Sequence, residues 1–240
     1  MQAHTYIEDE EGEIIAVPDP EKLKELRQKK YEYFLGKSGL PEFYWGINFE
    51  DYKGDKESES FKKVKYYAEN LDKPEFKHVS LFIHGKHSTQ KTAVACNIIK
   101  EAMKKGLNAK FILAGSLISK LMKIQGFNKD EEIYNQIKEL QKCDVLLIDD
   151  SFDPEKALTW KNNNSMIIAE WDLFLRDFIA ENKKIIMTSN FDKTSIEEYY
   201  GKSLYELVDR NMYEIQFTES IKEHRKLSVT SAFDSMNRRS

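Results

Sequence analysis

The sequence predicts an α/β fold, a five-stranded parallel sheet flanked by helices, with a small and mostly helical N-terminal region ahead of it. Three observations carry this. From about residue 78, apolar runs recur at 79–84, 109–114, 144–149, 184–189 and 213–217. The segments between them place apolar residues at helical spacing. The runs are continuously apolar rather than alternating, as in parallel strands covered on both faces.

The elements follow in order. TYIEDEEGEIIAV (5–17) reads as a hairpin about Glu11 and Gly12. After Pro18 and Pro20, Leu23, Leu26, Tyr31 and Phe34 share one face of a helix expected to stop near Gly36. Residues 37–60 mix Gly, Pro, aromatic and charged residues, a connector that packs by its rings. FKKVKYYAENL (61–71) is an amphipathic helix ended by Pro74. The first strand, 79–84, leads into a helix over 91–106 closed by Gly106. Strand 109–114 precedes helices at 116–124 and 131–142. Strand 144–149 precedes a loop and a long helix at 165–182. Strand 184–189 precedes short helices at 195–201 and 203–210, then the last strand.

Composition bounds the function classes. The chain has 240 residues, enough for one domain with an appendage, and is 40% hydrophobic and 32% charged, a soluble globular profile. No apolar run approaches the roughly 20 residues of a membrane span. MQAHTYIEDEEGEII has neither the basic start nor the apolar core of a secretory signal, so a cytoplasmic location is expected. A net charge of −4 lends no support to a dedicated duplex-DNA binder. Cys96 and Cys143 make neither a zinc module nor a disulfide framework and read as buried small hydrophobes.

Four features bear chemistry. In LFIHGKHSTQKT, Gly85 ends a strand and Lys91-Thr92 open a helix, the outline of a phosphate-binding loop. Such a loop turns backbone N–H groups toward phosphate oxygens at a helix N-terminus. Gly85, Lys86, His87, Ser88, Thr89, Gln90, Lys91, Thr92 and Ala93 form the candidate cradle, with Gln90 where a glycine is expected. DVLLIDD places Asp149 at a strand tip, where an acid can hold Mg²⁺, and Asp150 beside it as a candidate base. IIMTSN ends in Asn190, an amide able to orient water. Arg210 lies near the end of a short helix. Taken singly, each has an ordinary reading: a strand–helix turn with Lys-Thr, an acid pair capping a loop, a turn asparagine, a helix-end arginine. Their order along one sheet is what joins them into a nucleotide site.

That order is the layout of AAA+ ATPases. SGLPEFYWGINFEDY, LFIHGKHSTQKT, VLLIDDSFDPEK, FLRDFIAENKKIIMTSN and GKSLYELVDR resemble the DnaC/DnaI family of bacterial replicative helicase loaders, especially the phage-encoded type, from about Ser38 to Arg225. The resemblance implies Lys91 and Thr92 as the Walker A pair, with Thr92 and Asp149 at Mg²⁺. It implies Asp149 and Asp150 as the Walker B acids, Asn190 as sensor 1 and Arg210 as an arginine finger reaching a neighbouring subunit's ATP. Sensor 2 falls at Lys222, with Arg225 three residues on, and lysine lacks the bidentate fork of arginine. Ser88 and Gln90 replace two loop glycines, and no cysteine precedes Cys96 where many relatives hold zinc.

The implied organisation is a helicase-interaction region and linker over 1–75, an ATPase core over 76–230 and a tail over 231–240. The implied partners are a hexameric replicative helicase, single-stranded DNA and further copies through the ATPase cores, with no membrane. Lys120, Lys123, Lys129 and Lys138 are candidates for DNA contact or a solvated helix face. An IstB-like transposition helper and a nucleotide-gated adaptor with little turnover are the alternatives.

Overall fold

The computed structural model describes residues 4–8, 14–124, 130–163 and 166–218. At the N-terminus β1 (His4–Glu8) and β2 (Ile14–Pro18) pair antiparallel, the hairpin read from the sequence. Helix α1 (Pro20–Lys37) starts where the Asp19 carboxylate accepts from the N–H groups of Glu21 and Lys22. It runs through Gly36, the expected stop, and ends where the Ser38 hydroxyl donates to Leu35 O at 2.7 Å. The helix thus stops within one residue of Gly36, at a side-chain cap two residues beyond it.

Helix α2 (Glu59–Asn70) follows a Ser58 cap and buries Phe61, Val64, Tyr67 and Ala68, one apolar stripe at helical spacing. Then come β3 (Ser80–Gly85), α3 (Lys91–Lys104), β4 (Ala109–Leu113), α4 (Ala114–Lys123), α5 (Glu131–Gln141) and β5 (Val145–Asp149). They are followed by α6 (Pro154–Asn163), α7 (Ile167–Ala180), β6 (Lys184–Ser189), α8 (Lys193–Tyr200), α9 (Lys202–Asn211) and β7 (Met212–Phe217). Helix α6 lies where the sequence reading has a loop. Its signal is local: Asp153 accepts from Glu155 N and Lys156 N, and Pro154 supplies the first helical residue.

The five strands β3–β7 form one parallel sheet in the order β4-β5-β6-β3-β7. Alternate residues feed two cores. Leu81, Ile83, Leu147 and Ile186 pack beneath α2 and α3, while Phe82, Ile148 and Met187 pack against Leu117, Trp171 and Leu204 of α4, α7 and α9. Burial on both faces explains why β3, β5 and β6 lack alternation, whereas the edge strand β7 departs from the expected apolar run, with Tyr213, Glu214 and Gln216 exposed between buried Met212, Ile215 and Phe217. The connector also belongs to the first core. Phe49 and Tyr52 are buried, and Tyr52 stacks on Phe61 with ring centroids 4.6 Å apart. Lys100 of α3, 2% exposed, donates to the carbonyls of Tyr44, at 2.9 Å, and Ile47, clamping the connector to the helix.

Both sheet edges are covered. Phe111 N on β4 donates to Ser38 O at 2.7 Å, and Ser60 Oγ on α2 donates to Gln216 O on β7 at 2.6 Å.

Candidate active site

The strand order sets the site. Chain-adjacent β3 and β4 are separated by β6 and β5, and the C-terminal tips of β3, β6 and β5 lie side by side. Such a crossing point is where an open α/β sheet receives a ligand.

Gly85 ends β3 at φ 147°, and a Cβ there would stand 2.0 Å from Phe217 O on β7. Close packing on the edge strand therefore demands this glycine. Beyond it, Lys86, His87 and Ser88 are exposed at the loop tip while Thr89 is buried. Ser88 and Gln90 both adopt the left-handed conformation, at φ 64° and 59°. The geometry expected of glycine is thus kept with side chains present. The Gln90 side chain points away from the loop interior, its Oε1 accepting from Lys53 N at 3.0 Å. It gives no side-chain cap to α3, which leaves the backbone donors of that helix's first turn to an outside acceptor.

Lys91 is buried. Its Nζ donates to Gly85 O at 2.7 Å, Lys86 O at 2.8 Å and Asn190 Oδ1 at 3.0 Å, with Thr89 Oγ1 at 3.2 Å. Burial pushes its ammonium down to about 8, against the pull of Asp149 and Asp150. Thr92 Oγ1 donates to Asp149 Oδ1 at 2.9 Å. Burial moves Asp149 above the ordinary carboxylate range, opposed by hydrogen bonds from Thr188 and Thr92. Asn190 bridges the two halves: Oδ1 faces Lys91, and Nδ2 donates to Asp150 Oδ1 at 3.4 Å.

Two residues escaped the sequence reading. Thr188 donates to Asp149 Oδ1 and accepts from Asp150 N at 3.1 Å, holding both acids. The Thr-Ser pair that closes a mostly apolar strand was its signal. Lys156 on α6 donates to Asp150 Oδ2, and with α6 unread nothing pointed to it.

Ala93 is half-buried in the first turn of α3. Arg210, its side chain 73% exposed, pairs with Glu206 of the same helix at 3.3 Å and stands apart from the cluster. Lys222, Arg225 and Lys129 lie outside the described residues. Lys120 donates to Gln136 and Lys138 sits over the Tyr134 ring, contacts of an ordinary helix face.

No protein-family model and no curated protein matches this chain. Solved structures do. DnaI is 19% identical at a TM-score of 0.58, over 75% of this chain and 92% of that one. The DnaC helicase loader is 19% identical at 0.53, over 75% and 99%. The replication initiator DnaA bound to AMPPCP and single-stranded DNA is 18% identical at 0.56, over 71% and 49%. The chain shares the fold of these structures. The chain spans about half the length of DnaA, and 55% of a DNA replication initiation factor that it also matches. At these identities the likeness is one of fold.

The donor set suits a nucleoside triphosphate with Mg²⁺. A buried cation, a helix start without a side-chain cap and a hydroxyl beside a carboxylate are the groups such a ligand uses. Among the described residues no group of three or more His, Cys, Asp or Glu gathers as a protein-only metal site. Mg²⁺ held by one or two protein oxygens and the phosphates needs none.

Proposed function

We propose that this chain is an ATPase of AAA+ type that loads a hexameric replicative helicase onto single-stranded DNA at replication initiation, of the phage kind. The observation that carries the reading is the continuous set Lys91, Asn190, Asp150, Thr188, Asp149 and Thr92 at the end of one sheet.

Residues 85–93 would wrap the phosphates with backbone N–H groups. Lys91, now satisfied by loop carbonyls and Asn190, would exchange them for β- and γ-phosphate oxygens. Thr92 Oγ1 and Asp149 would hold Mg²⁺, which when bound neutralises charge on those phosphates. Asn190 would orient a water toward the γ-phosphorus and Asp150 take its proton. A new P–O bond forms as the bond to the β–γ bridging oxygen breaks, and ADP leaves with that electron pair. The exposed Arg210 is available to a neighbouring subunit's ATP, and Lys222 or Arg225 would serve as sensor 2.

The likeness to the DnaC helicase loader and to DnaA bound to AMPPCP and single-stranded DNA supports the choice of partners. In this reading residues 1–75 engage the helicase, residues 76–230 hydrolyse ATP and self-associate, and residues 231–240 form a tail. Co-purification with candidate replicative helicases, with and without ATP, tests it. ATP-sensitive capture and faster helicase loading on single-stranded DNA are expected. The absence of both capture and any change in loading would overturn the reading.

A further inference from the structure

The carboxylate that this reaction needs as its base is already engaged. Asp150 Oδ2 accepts from Lys156 Nζ, and Oδ1 accepts from Asn190 Nδ2 at 3.4 Å. The first turn of α6, which carries Lys156 to the site, is fixed from two sides. Asp153 Oδ1 caps it, accepting from Glu155 N at 2.9 Å, and Asp153 O accepts from Tyr200 OH of α8 at 2.8 Å. Asp153 Oδ2 also lies 3.7 Å from the Lys156 ammonium, steadying it over the exit of β5. Asp150 is fixed in turn, left-handed at φ 57° with its N–H on Thr188.

We propose that Lys156 is a positioning residue that restrains hydrolysis by occupying Asp150 Oδ2. The inference rests on the reading of Asp150 as base. With Oδ1 facing Asn190 Nδ2, Oδ2 is the oxygen taken to receive the water's proton as the water oxygen bonds the γ-phosphorus. With the ammonium in place, a water there competes with a charged N–H donor for the same lone pairs. Turnover therefore proceeds from the arrangement in which Lys156 and Asp150 have parted. The restraint is soft, since the two side chains are 38% and 41% exposed, and ion pairs of that exposure are weak. Their release changes a rate by about two- to fivefold.

Steady-state ATP turnover by the full chain tests this with Lys156→Met, Lys156→Gln, Lys156→Arg, Asp150→Asn and the double variant Asp150→Asn/Lys156→Met. The neutral variants should raise kcat by about two- to fivefold with KM unchanged. Arginine, which keeps the cation and adds a second donor, should not raise kcat above the wild-type value. Lys156→Met should add nothing in the Asp150→Asn background. An unchanged or lower kcat in both neutral variants overturns the restraint. So does a rise shared by Lys156→Arg or surviving without the Asp150 carboxylate. Wild-type turnover by Asp150→Asn alone overturns the base reading instead, and is seen without altering Lys156.

Discussion

At Gln90 two small effects oppose one another. A non-glycine residue in the left-handed region costs about 1–2 kcal/mol, and the bond from Lys53 N to the Gln90 amide returns about 0.5–1.5 kcal/mol. Gln90→Gly removes both and should unfold in urea within about 1 kcal/mol of the wild type. Gln90→Ala keeps the strain and loses the bond, so it should be about 1 kcal/mol less stable. Wild-type stability in Gln90→Ala would show that the Lys53 contact contributes nothing. His84 supplies a pH dependence. Its Nε2 donates to Glu214 at 2.9 Å, yet burial holds its pKa below the ordinary 6.5, against the attraction of Glu214 and Asp192. The unfolded chain then takes up a proton that the folded one resists, so stability is lost as pH falls through the folded-state pKa. His84→Gln should show a shallower loss between about pH 7 and pH 5 in urea unfolding. An identical slope would remove His84 from the account.

Among the elements, α6 is the one that apolar periodicity does not reveal, although Asp-Pro-Glu is a helix-start pattern. Residues 153–163 lack the apolar periodicity that made the other helices legible, and the helix is held instead by its cap and by Tyr200. Asp153→Ala should therefore cost about 1 kcal/mol. Hydrogen exchange should show the lost protection concentrated in residues 154–163; a loss spread evenly over the chain would contradict a local cap. The strands were legible for the opposite reason. In the central strands β5 and β6 the buried run stays apolar until its tip, which also marks where Asp149 and Asn190 stand, while the edge strand β7 carries Glu214 and Gln216 within it.

For the whole molecule, the two cores decide what is reachable. Cys96 lies in the core beneath α2 and α3 and Cys143 in the opposite one, and both are free thiols. Burial pushes the Cys143 thiol up to about 12 and raises Cys96 as well. A thiol reagent at neutral pH should label neither until the chain unfolds, and both together once it does. Rapid labelling of native protein would show a core that opens locally. The connector shares the first core with the sheet, through Phe49, Tyr52 and the Lys100 clamp. Its aromatic packing was readable from composition. That a buried lysine organises it was not, because Lys100 looks like any solvent-facing helix lysine until its carbonyl acceptors are in place.

By itself the sequence determined the five apolar strands, the helices between them and the order of loop, acids and amide along the sheet. Those features are written in local periodicity and in polar residues at strand tips. Only the tertiary structure decided that β6 lies between β3 and β5, so that Asn190 spans Lys91 and Asp150. It also turned Gln90 onto Lys53 and placed Lys156 on Asp150. The bonds from Lys91 to Asn190 and from Lys53 to Gln90 join residues 99 and 37 apart in the chain. Contacts of that kind depend on strand order and side-chain direction, which no local pattern encodes.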